Sequence, residues 1–158
     1  MDMKLELVPI PVTDVDRAKA FYTDQLGFVA DVDVTPAPGV RVVQLTPPGS
    51  ACSIGIGTGL GAYDGREPGS VKALHLVVED IDKARAELVG RGVDVGEVMD
   101  VGGGVRYAGF GDPDGNGRTR LTATSLVDSF ADRDAFVASG METGVVEGYE
   151  RLDEVLAR

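Results

Sequence analysis

The chain has one histidine and one cysteine in 158 residues. A single cysteine, Cys52, excludes an internal disulfide and fits a reducing compartment. A single histidine, His75, cannot by itself hold a catalytic metal. Basic residues are also few: 15 against 26 acidic ones, for a net charge of −11. That balance argues against nucleic acid and anionic membrane as partners, and mildly favours cationic ligands. No apolar run approaches the ~20 residues needed to cross a bilayer. No basic n-region followed by an apolar stretch opens the chain, so the expected location is the cytoplasm.

What is present is ordinary in bulk and unusual in order. Hydrophobic residues make up 43% and charged residues 26%, and the length suffices for one domain with a real core. The stretch Val12 to Ala20 returns as Val78 to Ala86, offset by 66 residues, with five of nine positions identical. A repeat of this period implies two copies of one supersecondary unit of about 60 residues.

Each copy reads as β-α-β-β-β. In the first, Leu5, Val8, Ile10 and Val12 form a strand pattern that Pro9 and Pro11 confine to a sheet edge or to irregular pairing. Asp14 is placed to cap a helix over Ala18, Phe21, Tyr22 and Leu26, which Gly27 ends. Strands follow at 28–34, 40–46 and 51–57, with turns at Pro36–Gly39 and Pro47–Ser50. The second copy predicts strands at 72–78, 93–99, 104–110 and 118–124, with a helix between Asp80 and Gly92. Residues 58–70 read as a linker. Beyond residue 124 the pattern changes to helices, the last with Val145, Tyr149, Leu152 and Leu156 on one stripe. The expected division is a domain over 1–124, with repeats at 4–57 and 71–124, and a helical extension over 125–158.

Val12-x-Asp14, Ala20-Phe21-Tyr22, Leu26-Gly27-Phe28 and Asp112-Pro113-Asp114-Gly115-Asn116 together resemble the vicinal oxygen chelate superfamily. It includes glyoxalase I, bleomycin-resistance proteins and extradiol dioxygenases. The resemblance covers about residues 4–121. It implies an α+β fold in which paired βαβββ units curl their strands around a cavity, usually in a homodimer. Its metal-using members take His and Glu ligands from the first and fourth strands of each unit. Carried onto this chain, those positions are Leu7, Ser53, Ala73 and Thr119. None is His, Glu or Asp, so no metal or other cofactor is expected. Residues 119–158, with Gly140-Met141-Glu142 and Gly148-Tyr149-x-Arg151-Leu152-Asp153, resemble the last strand and helix of START-like helix-grip proteins.

Strand alternation sets the expected cavity side chains. His75 shares a face with Ala73. Gln44 is expected opposite Ser53, and adding 66 sets Phe110 opposite Thr119, with Arg106 on the same face. Gln44, Ser53, His75, Arg106, Phe110 and Thr119 are therefore the expected ligand-binding residues. Ala51, Ser53 and Gly55 are small, which predicts a roomy wall. Cys52, Ile54 and Ile56 point into the core. The Asp112–Gly117 segment begins like a calcium loop, but Ala123 stands where the bidentate Glu belongs, so a strand-connecting turn is expected.

These readings lead to a protein that binds a small organic molecule, possible antibiotic sequestration included, without turning it over. The competing reading is a lyase or isomerase of glyoxalase type, or a dioxygenase relative, with His75 as base and a metal site of unrecognised composition.

Overall fold

A computed structural model describes residues 1–71, 74–102, 105–114 and 120–124. Among them the order is β1 (Leu7–Pro9), α1 (Val15–Ala20), β2 (Val29–Ala37), β3 (Val40–Thr46) and β4 (Ser53–Thr58). There follow α2 (Gly61–Asp64), α3 (Ile81–Gly90), β5 (Met99–Gly102), β6 (Val105–Phe110) and β7 (Arg120–Thr124). The fold is α+β with a curved sheet, as expected, and among the described residues the strands do not close into a barrel. Residues 125–158, Ala73 and Thr119 lie outside the described residues, and with them the helix and START-like resemblance expected of the tail.

The first unit follows its sequence closely. Its strands run in the order β1-β4-β3-β2. Strand β1 sits at the edge and pairs parallel to β4, and Pro9 falls at its last residue, where a missing N–H costs little. The Asp14 carboxylate accepts from the Arg17 amide at 2.9 Å, and Asp80 does the same for the Lys83 amide. Residues Phe21–Gln25 prolong α1 as a π-helical turn, and Gly27 leaves it at φ +76°. The core lies between α1 and the sheet. Tyr22, Val43, Leu45 and Ile56 are fully buried there, joined by Ile54 and Phe28.

The second unit forms a sheet in the order β5-β6-β7. The strand expected at 93–99 is reduced to a bridge between Val95 and Phe110, with pairing resuming at Met99. Residues 74–79 keep strand-like alternation: Leu74, Leu76 and Val78 pack on the core, while His75 and Val77 are exposed. They belong to no ladder among the described residues.

The two units are sewn together by the turn at 111–114. Tyr22 donates its hydroxyl hydrogen to Asp112 at 2.8 Å. Thr13 and Arg17 both donate to Asp114, whose side chain is buried. The acidic pair that begins like a calcium loop is thus turned inward onto α1 and the residues before it.

Candidate functional site

The fourth strand alternates cleanly. Ile54 and Ile56 enter the core, and Ser53, Gly55 and Gly57 face away from α1. Leu7 pairs with Ser53 across the parallel ladder, so the first unit's two expected chelating positions stand side by side.

On β3 the residues of the same face are Gln44 and Thr46. Gln44 pairs in register with Gly55, not with Ser53, a shift of two residues from the sequence expectation that keeps it on the same face. Its amide still reaches diagonally to donate to the Ser53 hydroxyl at 3.0 Å. The Ser53 and Thr46 hydroxyls lie 2.6 Å apart, and Thr46 also donates to the Asp31 carboxylate on β2. The result is a continuous polar strip, Gln44–Ser53–Thr46–Asp31, across three strands. Ser53 is buried within it.

The wall expected to be roomy is filled. Tyr63, on α2 in the segment read as a linker, folds back over β4. A methyl group at Gly55 would lie 2.8 Å from the Tyr63 hydroxyl and 3.1 Å from a Leu7 methyl. At Gly57 it would lie 3.1 Å from the Tyr63 ring. Gly55 has no room for a side chain because Tyr63 and Leu7 lie against it, and at Gly57 the Arg41 carbonyl oxygen of the neighbouring strand stands closer still than the ring. Burial pushes the Tyr63 phenol above its ordinary pKa, so it stays a neutral donor at physiological pH. Its hydroxyl ends beside Leu7 and Gly55, next to the polar strip. The sequence signal for Tyr63 was weak: one aromatic residue in a glycine-rich connection, opposite two strand glycines.

In the second unit the placement differs from expectation. The register pairs Phe110 with Arg120, and Arg106 with Thr124. Ala108 and Phe110 are buried beneath α3. Arg106 makes two hydrogen bonds to Asp82, in the first turn of α3, at 2.8 and 2.9 Å. This mirrors the first unit, where Arg41 binds Asp16 in the first turn of α1. The aspartates are 66 residues apart and the arginines 65. The repeat therefore slips by one residue between helix and strand, and one residue is enough to exchange the faces of a strand. Arg106 and Phe110 are counterparts of Arg41 and Leu45, on the helix side, and they do not join Gln44 and Ser53. Tyr107, between them, occupies the opposite face. His75 is exposed and has no hydrogen-bond partner among the described residues.

Electrostatics concentrate around β2 and β3. Arg41 binds Asp33 and Asp16, and Lys19 binds Asp33 at 2.8 Å. Hydrogen bonds from Arg41 and then Lys19 hold the Asp33 carboxyl well below the usual carboxylate range. The hydrogen bond to Asp33 likewise raises Arg41 above its ordinary value. Hydrogen bonding to Arg106 lowers Asp82 in the same way.

The donor set does not suit a divalent ion. Leu7 offers no donor atom. Ser53 offers only a neutral hydroxyl already engaged by Gln44 and Thr46. Ala73 has no donor in its side chain. Hard and borderline cations need carboxylate, imidazole or thiolate at such positions. Among the described residues no three His, Cys, Asp or Glu side chains cluster for a metal.

The chain is similar to several solved structures. The antibiotic-binding protein TnmS3 from Streptomyces sp. CB03234 shares 30% identity over 78% of this chain and 95% of its own, with a TM-score of 0.64. A glyoxalase/bleomycin resistance protein from the same organism shares 30% identity over 78% of this chain and 100% of its own, with a TM-score of 0.61. A superfamily member from Sphaerobacter thermophilus DSM 20745 shares 32% identity over 79% and 99%, with a TM-score of 0.61. No curated protein matches the chain. The family described as Glyoxalase/Bleomycin resistance protein/Dioxygenase superfamily matches residues 4–117. With the doubled unit, the capped helices and the paired first and fourth strands, this chain belongs to the glyoxalase/bleomycin resistance protein/dioxygenase superfamily.

Proposed function

We propose that the protein binds a small organic molecule of antibiotic type along the Gln44–Ser53–Thr46–Asp31 strip, and holds it without chemical turnover. The observation that carries this reading is the replacement of chelating side chains by Leu7 at the edge and Ser53 in the strip. What remains is a row of neutral donors and acceptors ending in one carboxylate, which can orient a polar ligand but activates neither water nor a carbonyl. Similarity to an antibiotic-binding protein supports the ligand class. The Asp31 carboxylate and the net charge of −11 favour a cationic ligand. Tyr63 supplies the aromatic surface beside the strip. Thr119 and His75 stand as the second unit's contributions, and Tyr107 joins them from β6. The same reading makes the protein a cytoplasmic homodimer. The exposed Val77, on a segment with strand alternation and no ladder, is the kind of edge that a second subunit covers.

The test is titration calorimetry with bleomycin, as a bulky cationic drug, in EDTA and again with added zinc or manganese. Binding with equal affinity in both, and recovery of unaltered drug, is the expected result. Affinity that depends on the metal, or a modified drug, refutes the reading.

A further inference from the structure

Tyr63 belongs to α2, a four-residue helix held by backbone bonds from the Tyr63 and Asp64 amides to the Leu60 carbonyl at 2.8 and 2.9 Å. Its direction is fixed by what it lies against. A methyl at Gly57 would meet the ring edge at 3.1 Å, and a methyl at Gly55 would meet the hydroxyl at 2.8 Å. The ring therefore lies along β4, with its hydroxyl end at Gly55. The next residue on that face is Ser53, about 7 Å further on. The phenol is thus aimed along the strand at the polar strip.

A buried hydroxyl ordinarily has a hydrogen-bond partner. Tyr63 is only 6% exposed, yet its hydroxyl makes no hydrogen bond among the described residues. Nor is it sealed off. Among the described residues the partnerless side-chain polar atom shut away from solvent is Asp114 Oδ2, so an opening leads to the Tyr63 hydroxyl. Leu7 and Gly55 beside it have no side-chain acceptor to offer. Burial keeps the phenol above its ordinary pKa, so at neutral pH it presents a hydrogen and carries no charge. At the other end of the strip stands the Asp31 carboxylate, on β2. Two strand spacings separate β4 from β2, which sets phenol and carboxylate roughly 10 Å apart.

We propose that Tyr63 is a specificity-determining donor at the strip, selecting ligands that carry a neutral carbonyl roughly 10 Å from a cationic group. The proposal rests on the strip as the binding surface. The Tyr63 hydroxyl donates to the carbonyl, Asp31 pairs with the cation, and Leu7 packs beside the carbonyl end.

Two matched probes test this on the full chain by titration calorimetry. One is 3-(4-acetylphenyl)propylammonium; the other, 3-(4-ethylphenyl)propylammonium, lacks the carbonyl. The parent should bind the ketone about fivefold more tightly, the worth of one neutral hydrogen bond. Tyr63→Phe should bind both probes alike, at the affinity the parent has for the ethyl compound. Asp31→Asn should weaken both probes equally and keep the preference for the ketone. A parent without preference, or a preference that survives in Tyr63→Phe, overturns the proposal and leaves the strip standing as long as Asp31→Asn weakens both probes. Loss of both probes in Tyr63→Phe also overturns it, because the residue would then only shape the site. If Asp31→Asn weakens neither probe, or the parent binds neither, the strip is not the binding surface and both readings fall.

Discussion

Substituting Gly55 by alanine tests the packing of Tyr63 against β4 and, through it, the shape of the candidate site. The new methyl would sit 2.8 Å from the Tyr63 hydroxyl and 3.1 and 3.3 Å from the two Leu7 methyls. All three are ends of side chains, so they give way at a cost. Overpacking of this kind costs about 1–2 kcal/mol, or about 3–6 °C in Tm for a chain of this length. The closest contact is with a hydroxyl, so Tyr63→Phe should relieve most of it. Tyr63→Phe alone should cost roughly 0.5 kcal/mol or less, because the hydroxyl has no hydrogen-bond partner among the described residues. Urea unfolding of the two single variants and the double variant should therefore show a favourable coupling of about 1 kcal/mol. Gly57→Ala provides the contrast. There the methyl would clash with the Arg41 carbonyl oxygen, an atom of the neighbouring strand's backbone that cannot rotate away. Its cost should reach the upper end of the overpacking range, about 3 kcal/mol, and Tyr63→Phe should not rescue it. A neutral Gly55→Ala, or additive effects with Tyr63→Phe, would refute the placement of Tyr63 over the strand.

Ser53→Val keeps the shape of the buried side chain but leaves the Gln44 amide without its acceptor, so stability should fall by about 1–3 kcal/mol and drug affinity by about tenfold; calorimetry and urea melts check both. Asp114→Ala removes the buried acceptor of Thr13 and Arg17 and should cost roughly 1–3 kcal/mol, read by denaturant midpoint, and a cost near zero would contradict the clasp between the units. Asp33 has a folded-state pKa below its unfolded value near ~3.9. The stability it contributes is therefore complete above that value and is lost as the pH falls toward the lower, folded one. Asp33→Asn should consequently be less stable than the parent at neutral pH, with the difference shrinking under acid, and a difference independent of pH would contradict the Arg41 and Lys19 contacts.

Much of the fold was legible because local signals repeat. The two Asp caps, the glycine after α1, the turn prolines and the proline-marked edge strand each act within a few residues, so sequence spacing suffices to place them. The chelating positions came from the family resemblance, which placed them at Leu7 and Ser53, and the structure sets these two side by side across the β1–β4 ladder. Strand β5 and the segment 74–79 were less so. A strand exists only when a neighbour pairs with it, and alternation in one segment does not name that neighbour.

By itself, then, the sequence determined the doubled unit, its helices and hairpins, and the lack of metal donors in the first unit's edge and fourth strands. Tertiary structure alone decided which face each residue of β6 presents and what covers the glycines of β4. The first depended on a slip from 66 to 65 residues between helix and strand, which a period of two turns into a reversal of face for Arg106 and Phe110. The second depended on a short helix folding Tyr63 back over Gly55 and Gly57, a contact set by the path of a connection that carries no periodic signal of its own.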